Sequence, residues 1–182
     1  MARSTNMTVP DAEDAGLTVT VALLLTALRA GDGDPDSDRL ANLAAAQQWA
    51  ARLDMEGLEL TARDLTPLRR FRESLRDARL AGQSEQLSVA AVESSVNLSW
   101  TPDGVQVMPR GLGWRRIAAA VSVELLKAEA AGVLSRLKTC AHQPCGYPFI
   151  DASRNRSRAW HDTAKCGNIV NLRASRARRK PS

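Results

Sequence analysis

Residues 139–180 read TCAHQPCGYPFIDASRNRSRAWHDTAKCGNIVNLRASRARRK and hold every cysteine and histidine of the chain. Four of these donors form two pairs, Cys140 with Cys145 and His161 with Cys166, and four residues separate the partners in each pair. A tetrahedral zinc site is built from two such pairs, because each short turn aims two donors inward and the intervening loop brings the second pair round. The pattern therefore predicts one structural zinc ion.

A second histidine, His142, is the alternative fourth ligand. It lies inside the first turn, where the chain between Cys140 and Cys145 bends to bring both sulfurs to one ion, so a third donor there competes for the same side. Three buried free cysteines beside an ordinary histidine are the other explanation of the cluster. We favour the set in which His161 completes the site.

The residues around these ligands carry a resemblance to a known family. The run FIDASRNRSRAW, residues 149–160, precedes His161, and Cys166-Gly167-Asn168 follows it. This combination resembles the CGNR-type zinc finger of bacterial proteins, closely over residues 140–180, whereas the preceding chain agrees only in the order of its elements. The resemblance implies a mostly helical ABATE domain before the finger and a role in stress-responsive transcription regulation.

Three positions depart from the family pattern. His161 stands where the family usually has a cysteine, which gives a Cys3His set that is still competent for zinc. Ile169 stands where the family has arginine, and Asn171 stands where lysine is common. The family position of the fourth ligand thus falls on His161, and two basic positions are lost.

Charge is divided unevenly along the chain. Residues 138–182 hold ten basic and two acidic residues, a net charge of +8, whereas residues 1–137 hold fifteen basic and eighteen acidic residues, a net charge of −3. A basic module on a mildly acidic body indicates that a polyanion binds the module alone. A segment of about 40 residues seldom buries its own core, which also favours a metal.

Cysteine use and hydropathy predict a cytoplasmic protein. Three cysteines leave one thiol unpaired in any disulfide scheme, and no secretory leader precedes them, so reduced thiols held by a metal fit better. The longest apolar run, residues 19–28, is far shorter than the roughly 20 residues that span a bilayer. It predicts a buried helix, and we expect no contact with a membrane.

The chain before the cysteines predicts a helical body. We expect a flexible start over residues 1–16, a mostly helical ABATE-like domain over 17–137 and the zinc module over 138–182. Apolar spacing, caps and stop signals predict five helices, at residues 17–29, 38–53, 66–80, 88–97 and 111–134. Thr66 followed by Pro67 is interpreted as the start of the third helix, whose mixed charges predict a solvated face.

In one segment of the body the spacing of the apolar residues changes from a helical pattern to an alternating one. Residues 98–100 and 105–107 alternate on either side of Thr101-Pro102-Asp103-Gly104, which predicts a β-hairpin. An isolated hairpin is marginal in water, so this one is expected to pack on the helices. The predicted fold class is mainly α with a small β-hairpin, a helical N-terminal domain being followed by a small zinc-binding module.

The predicted metal site is not that of an enzyme. A catalytic zinc keeps one coordination position open to water and has an acid or base nearby. Four protein donors fill this site, and the nearby carboxylates, Asp151 and Asp162, belong to no hydrolytic or deaminase signature. Cys166 is expected at a helix N-terminus that favours its thiolate, and Asn168 is expected to support a ligand sulfur or the loop.

Basic residues form two sets beside the predicted metal. One set alternates through the loop between the ligand pairs: Arg154, Arg156 and Arg158. The other follows on the final helix: Arg173, Arg176, Arg178, Arg179 and Lys180. Because one metal holds loop and helix, both sets are expected to face one polyanion, with guanidinium groups suited to phosphates and guanine edges. A solvated basic tail is the alternative, and Trp160 is expected in the small core of the module.

Three functional hypotheses follow. The leading one is a bacterial transcription regulator whose helical domain senses or assembles and whose zinc module binds DNA. The alternative is a protein-docking module, in which an acidic patch of the transcription machinery meets the arginines. RNA binding is the third, and the sequence lacks the exposed aromatic platform that single-strand readers use.

Overall fold

A computed structural model describes residues 10–27, 38–80, 93–142 and 145–178. Within these ranges the helices are Pro10–Asp14 (α1), Thr18–Leu24 (α2), Leu43–Ala50 (α3), Ala62–Leu80 (α4), Trp114–Ala130 (α5) and Asn168–Arg178 (α6). The strands are Val96–Thr101 (β1), Gly104–Pro109 (β2), Leu137–Thr139 (β3) and Pro148–Ile150 (β4). A 3-10 turn at Leu134–Arg136 precedes β3, and a π-helical turn at Thr163–Gly167 runs into α6. The predicted fold class, mainly α with a small β-hairpin, is confirmed.

The body packs around one apolar core in which α2, α4 and α5 all contact one another. The fully buried side chains at its centre are Leu17, Leu23, Leu24, Leu40, Leu68, Ile117 and Val121. None of the helices within the described ranges combines the length and apolar character needed to cross a bilayer. The apolar run at residues 19–28 therefore contributes to this core. The last residue of the run lies outside the described part of the chain.

The start of the chain differs from the flexible segment expected over residues 1–16. Residues 10–14 form α1, and the Leu17 N–H donates to the Ala12 carbonyl at 2.8 Å. This bond turns α1 back onto the core, where Ala12 is buried. Residues 1–9 lie outside the described part of the chain.

The first two predicted helices are shorter than expected. α2 ends at Leu24 and does not continue to residue 29, and α3 begins at Leu43, where the Asn42 side chain accepts the Ala45 N–H at 2.9 Å. Asp38 is therefore not the cap of α3. Its carboxylate accepts the Leu40 N–H at 2.8 Å and forms an ion pair with Arg72 of α4.

The third predicted helix begins a turn earlier than the Thr66-Pro67 signal indicates. Thr61 donates its N–H and hydroxyl to Asp64, so the helix starts at Ala62 and contains Pro67. Asp64 also accepts the Trp114 N–H at 3.1 Å, which ties the start of α4 to the start of α5. Tertiary contacts thus select a start that local spacing did not reveal.

The charged face of α4 is partly buried, so the prediction of a solvated face is wrong at two positions. Arg72 and Arg76 are only 3% and 4% exposed. The Arg72 guanidinium binds the hydroxyl of Thr26, and Arg76 donates to the Leu24 and Ala27 carbonyls. Arg76 thus satisfies carbonyl groups at and after the C-terminal end of α2, where the helix offers no further N–H partner.

The hairpin predicted around residues 101–104 is confirmed. β1 and β2 pair antiparallel with Thr101 opposite Gly104, and β2 packs on α5. Gly104 has a φ of 116°, a conformation that favours glycine at this turn. The helix predicted over residues 88–97 is wrong at its C-terminal end, because 93–95 are not helical and 96–97 belong to β1. Residues 81–92 lie outside the described part.

A second hairpin, which the sequence did not predict, joins the body to the cysteine-rich segment. α5 ends at Ala130 rather than near residue 134, and β3 then pairs antiparallel with β4. Leu137 and Ile150, which are partners in this pairing, are buried in the same cluster as the residues of α2 and α4. The metal-ligand segment is therefore attached to the body through shared core residues.

Candidate metal centre

The four predicted ligands lie together. One donor atom from each of Cys140, Cys145, His161 and Cys166 lies within 4.8 Å of the others. The His161 Nδ1 is 3.4 Å from the Cys145 sulfur and 3.8 Å from the Cys166 sulfur, so Nδ1 is the ring nitrogen that faces the thiols. Three thiols and one imidazole nitrogen are the donor set of a closed structural zinc site. The cluster is suited to binding one zinc ion.

The first ligand pair is held by the second hairpin. Cys140 directly follows β3, and its N–H donates to the Tyr147 carbonyl at 2.8 Å. The Cys145 N–H donates to the His142 carbonyl at 2.8 Å, which closes the turn between the two thiols. Backbone bonds thus direct both sulfurs to one point.

His142 lies outside the ligand group. It is not among the four clustered donors, and both of its ring nitrogens are buried without a hydrogen-bond partner among the described residues. The structure therefore groups His161, not His142, with the three cysteines.

Two side chains fix the orientation of His161. The Tyr147 ring stacks on the imidazole with a centroid separation of 4.5 Å and an angle of 25° between the ring planes. Arg158 donates to the carbonyl oxygens of Trp160 and His161, and its guanidinium lies over the Phe149 ring at 5.5 Å. Groups that support a metal ligand in this way hold it in its binding geometry.

Cys166 sits inside the π-helical turn that precedes α6. Asp162 caps this turn by accepting the Lys165 N–H at 2.9 Å, and the Cys166 N–H donates to the Asp162 carbonyl. The sulfur is therefore one turn inside the helical segment and not at its first residue. Asn168 donates to the Ala164 carbonyl at 2.7 Å, so it supports the turn and not a ligand sulfur.

Gly167 lies at a close approach between the turn and two side chains. A Cβ at this position would lie 3.2 Å from the Trp160 ring and 3.3 Å from the Thr163 methyl group. Trp160 is half-buried, and its indole nitrogen is buried without a partner in the described part of the chain. This tryptophan packs against the turn that carries Cys166, as expected for a residue of the module's small core.

Without a metal, the Cys145 and Cys166 thiols favour their protonated forms. Burial, followed by hydrogen bonds and charge from Cys140 and Cys145, raises the pKa of Cys166 to about 12. Burial also raises the pKa of Cys145, and the neighbouring Cys140 adds to this effect. Burial, with a further contribution from the neighbouring thiols, thus raises the pKa of Cys166, whereas the sequence predicted a position that favours a thiolate. A cation that neutralises the sulfurs opposes this effect, and its binding releases protons.

The loop between the ligand pairs is organised by Asp151, a role the sequence analysis missed. Asp151 is fully buried, and its carboxylate accepts bonds from Lys138 Nζ at 2.6 Å, from Ser153 N and from Arg158 N. Burial acts to raise the pKa of Asp151, but these hydrogen bonds outweigh it and hold the pKa well below the usual range. Arg136 also donates to the Asp151 carbonyl at 2.8 Å.

Lys138 and the loop arginines differ in what they are free to bind. Lys138 also donates to the Arg156 carbonyl at 2.5 Å, so its ammonium group is bound by atoms of the loop itself. Arg156, with a φ of 51°, donates to the Ser135 hydroxyl at 3.1 Å and remains exposed, as does Arg154. Arg158 is held by the carbonyls of the ligand segment. The loop thus presents Arg154 and Arg156 on a fixed backbone.

α6 stands out from the rest of the molecule. Its main packing is against the π-helical turn, and none of its described residues is buried. It carries Arg173, Arg176 and Arg178, all exposed, and has no acidic residue. Arg179 and Lys180, the last two predicted nucleic-acid contacts, lie outside the described part.

Comparison with known families supports the assignment of the module. Residues 136–179 match the CGNR zinc finger family, over about a quarter of the chain. The matched segment begins just before β3 and includes all four clustered donors and all of α6. A search of curated proteins finds no match to the chain. The ABATE-like identity of residues 17–137 stays a prediction.

Proposed function

We propose that this protein is a bacterial transcription regulator that binds duplex DNA through α6 and the Arg-rich loop, both arranged by one structural zinc ion. The observation that carries the proposal is α6 itself: an exposed helix with three described arginines and no carboxylate, anchored at its start by the Cys166 turn. An isolated helix of this length is marginal in water, so the metal site supplies its fixed position. A helix of this width fits the major groove of B-DNA.

The loop supports the same surface. Asp151 and Lys138 hold the backbone of the loop through hydrogen bonds, and Arg154 and Arg156 are exposed on the loop. Guanidinium groups on the loop and on α6 suit a phosphate backbone, because arginine binds phosphate through paired N–H donors. Arg158 is assigned to holding the His161 segment, so we expect it to contribute to zinc binding more than to DNA contact.

In this proposal the helical body, ABATE-like by resemblance, senses a stress signal or assembles the protein in the cytoplasm. Support for a link between the parts comes from Leu137 and Ile150, which place the second hairpin in the core of the body. A conformational change in that core would be transmitted to the zinc module through Leu137 and Ile150.

A protein-docking function is the second candidate. It is favoured by Ile169 and Leu172, which are 39% and 56% exposed on α6 beside the arginines. An acidic partner with an apolar patch would use both features, and it would compete with DNA for the same helix.

The test is the salt dependence of binding to random-sequence duplex DNA. Zinc-loaded wild-type protein is compared with Arg173→Ala/Arg176→Ala, and with Arg63→Ala/Arg70→Ala, which removes the same charge from exposed positions of α4. We expect the α6 variant to weaken binding and to flatten the plot of log affinity against log salt by up to about two contacts, at about 0.9 per contact. The α4 variant should behave as wild type. Equal slopes for the two variants, or no binding at low salt, would refute the DNA proposal and favour protein docking.

A further inference from the structure

One stripe of α6 carries two kinds of side chain. At about 100° per residue, four residues share this stripe along the helix: Ile169, Leu172, Arg173 and Arg176. The half-buried residues of α6, Val170 and Ser175, lie beside the two edges of the stripe. All four residues of the stripe are exposed.

The aliphatic pair on this stripe is partly exposed. Ile169 and Leu172 are 39% and 56% exposed, although they follow directly on the buried Cys166-Gly167 segment. They lie one helical turn apart, so their side chains are neighbours on the surface. Single exposed apolar residues are ordinary, but a paired aliphatic patch beside cations marks a surface that binds a ligand with both apolar and anionic parts.

The charges around the pair determine the class of that ligand. Residues 163–178 contain no aspartate or glutamate, and Arg173 and Arg176 follow the pair on the same stripe. A ligand that uses both features is therefore anionic beside an apolar group. Duplex DNA has this pattern in its major groove, where phosphates border the floor and the thymine 5-methyl group is the apolar feature.

We propose that Ile169 and Leu172 contact thymine methyl groups in the major groove and give α6 a preference for thymine-containing sites. This inference rests on the proposed function, because it requires α6 to enter the groove. Arg173 and Arg176 bind the adjoining phosphates and set the depth of the helix, while the aliphatic pair distinguishes bases that differ in one methyl group. At Ile169 the resembling family carries arginine, so this preference belongs to this chain.

The experiment changes only the methyl groups. Zinc-loaded full-length protein is titrated against two duplexes of equal length, one alternating dA and dT and the other alternating dA and dU. Both duplexes have the same phosphate charge and the same hydrogen-bonding groups in the groove. We expect wild type to bind the thymine duplex more tightly, by about threefold to fourfold for each methyl group buried.

Three variants assign that preference to residues. Ile169→Ala and Leu172→Ala should each reduce the ratio of the two affinities, and the double variant should bind both duplexes alike. Asn171→Ala, which changes an exposed residue on the other side of α6, should keep the wild-type ratio. Zinc content of each variant, measured on the same samples, shows that the module is intact.

Each outcome is decisive. Equal wild-type affinity for the two duplexes, with the salt slope retained, overturns the thymine inference and leaves the DNA proposal standing. A thymine preference that survives in the double variant also overturns it. If wild type binds neither duplex, the DNA proposal and this inference both fail, as expected if the aliphatic pair docks on a protein.

Discussion

At the scale of single residues, the proposed metal site depends on the assignment of His161 as the fourth ligand. Its Nδ1 faces two thiols, whereas the ring nitrogens of His142 are outside the cluster. We predict that His161→Ala abolishes tight zinc binding, and that His142→Ala and His161→Cys retain it, because thiolate and imidazole both suit tetrahedral zinc. Competition with a chromophoric chelator measures the affinities. Loss of zinc in His142→Ala together with its retention in His161→Ala would show that the wrong histidine was assigned.

Asp151 is the residue that holds the loop. Asp151→Asn should lower the free energy of unfolding of the zinc-loaded protein by about 2 to 3 kcal/mol, because Lys138 loses the partner of a largely buried ion pair. The pKa of Asp151 is depressed in the folded protein, so its contribution is present above the ordinary carboxyl pKa and is lost only as pH falls towards the folded value.

The expected difference between wild type and Asp151→Asn is therefore constant from about pH 8 to about pH 5. Denaturant titrations at several pH values check this expectation. Asp162→Asn, which retains a side-chain oxygen to cap the π-helical turn, is the comparison variant and should have a smaller effect. A difference that disappears within the tested range would contradict the assigned role of the Asp151 carboxylate.

The ligands were predictable from sequence, whereas their supports were not. Cys140, Cys145, His161 and Cys166 lie within 27 positions of one another, and their residue types have few other uses in such a cluster. The structural role of Asp151 was missed because its partners depend on the β3–β4 pairing, which local patterns did not reveal. Arg72 was misjudged for the same reason, since its partners come from a segment more than thirty residues earlier.

At the scale of elements, loop and helix are expected to act as one surface. Arg154→Ala should weaken binding to duplex DNA and reduce the salt slope by about one contact, at about 0.9. Arg158→Ala should instead lower zinc affinity, because its guanidinium holds the carbonyls of Trp160 and His161. Salt titrations and zinc competition on both variants separate these effects. A reduced salt slope with unchanged zinc affinity in Arg158→Ala would show that Arg158 contacts DNA and does not support zinc binding.

The π-helical turn is the element that joins metal and DNA surface. Gly167→Ala places a methyl group against the Trp160 ring and the Thr163 methyl group, so we predict weaker zinc binding and less helical signal from α6. The neighbouring exposed change Asn168→Ala removes only the bond to the Ala164 carbonyl and should have a milder effect. Zinc competition and circular dichroism measure both. Wild-type zinc affinity in Gly167→Ala would show that the turn yields to the added methyl group.

At the scale of the whole molecule, the module is predicted to need its metal to fold, whereas the body is predicted to fold without it but with lower stability. Structural zinc contributes roughly 10 kcal/mol or more to the folding of small modules. Cys145→Ser should therefore lose the structure of the module and keep most of the helical signal of α2, α4 and α5. Because Leu137 and Ile150 belong to the core of the body, its Tm should also fall. An unchanged Tm would show that the shared core residues do not couple the two parts.

The central claim is that one zinc ion arranges α6 and the Arg-rich loop into a surface for duplex DNA. The most direct measurement is the affinity of the full-length protein for random duplex DNA at low salt, before zinc removal, after removal with a chelator, and after zinc is restored. We predict one zinc per chain, binding that is lost with the metal, and recovery when zinc returns. Equal binding by the zinc-loaded and metal-free protein, or no binding by the zinc-loaded protein, would contradict the claim.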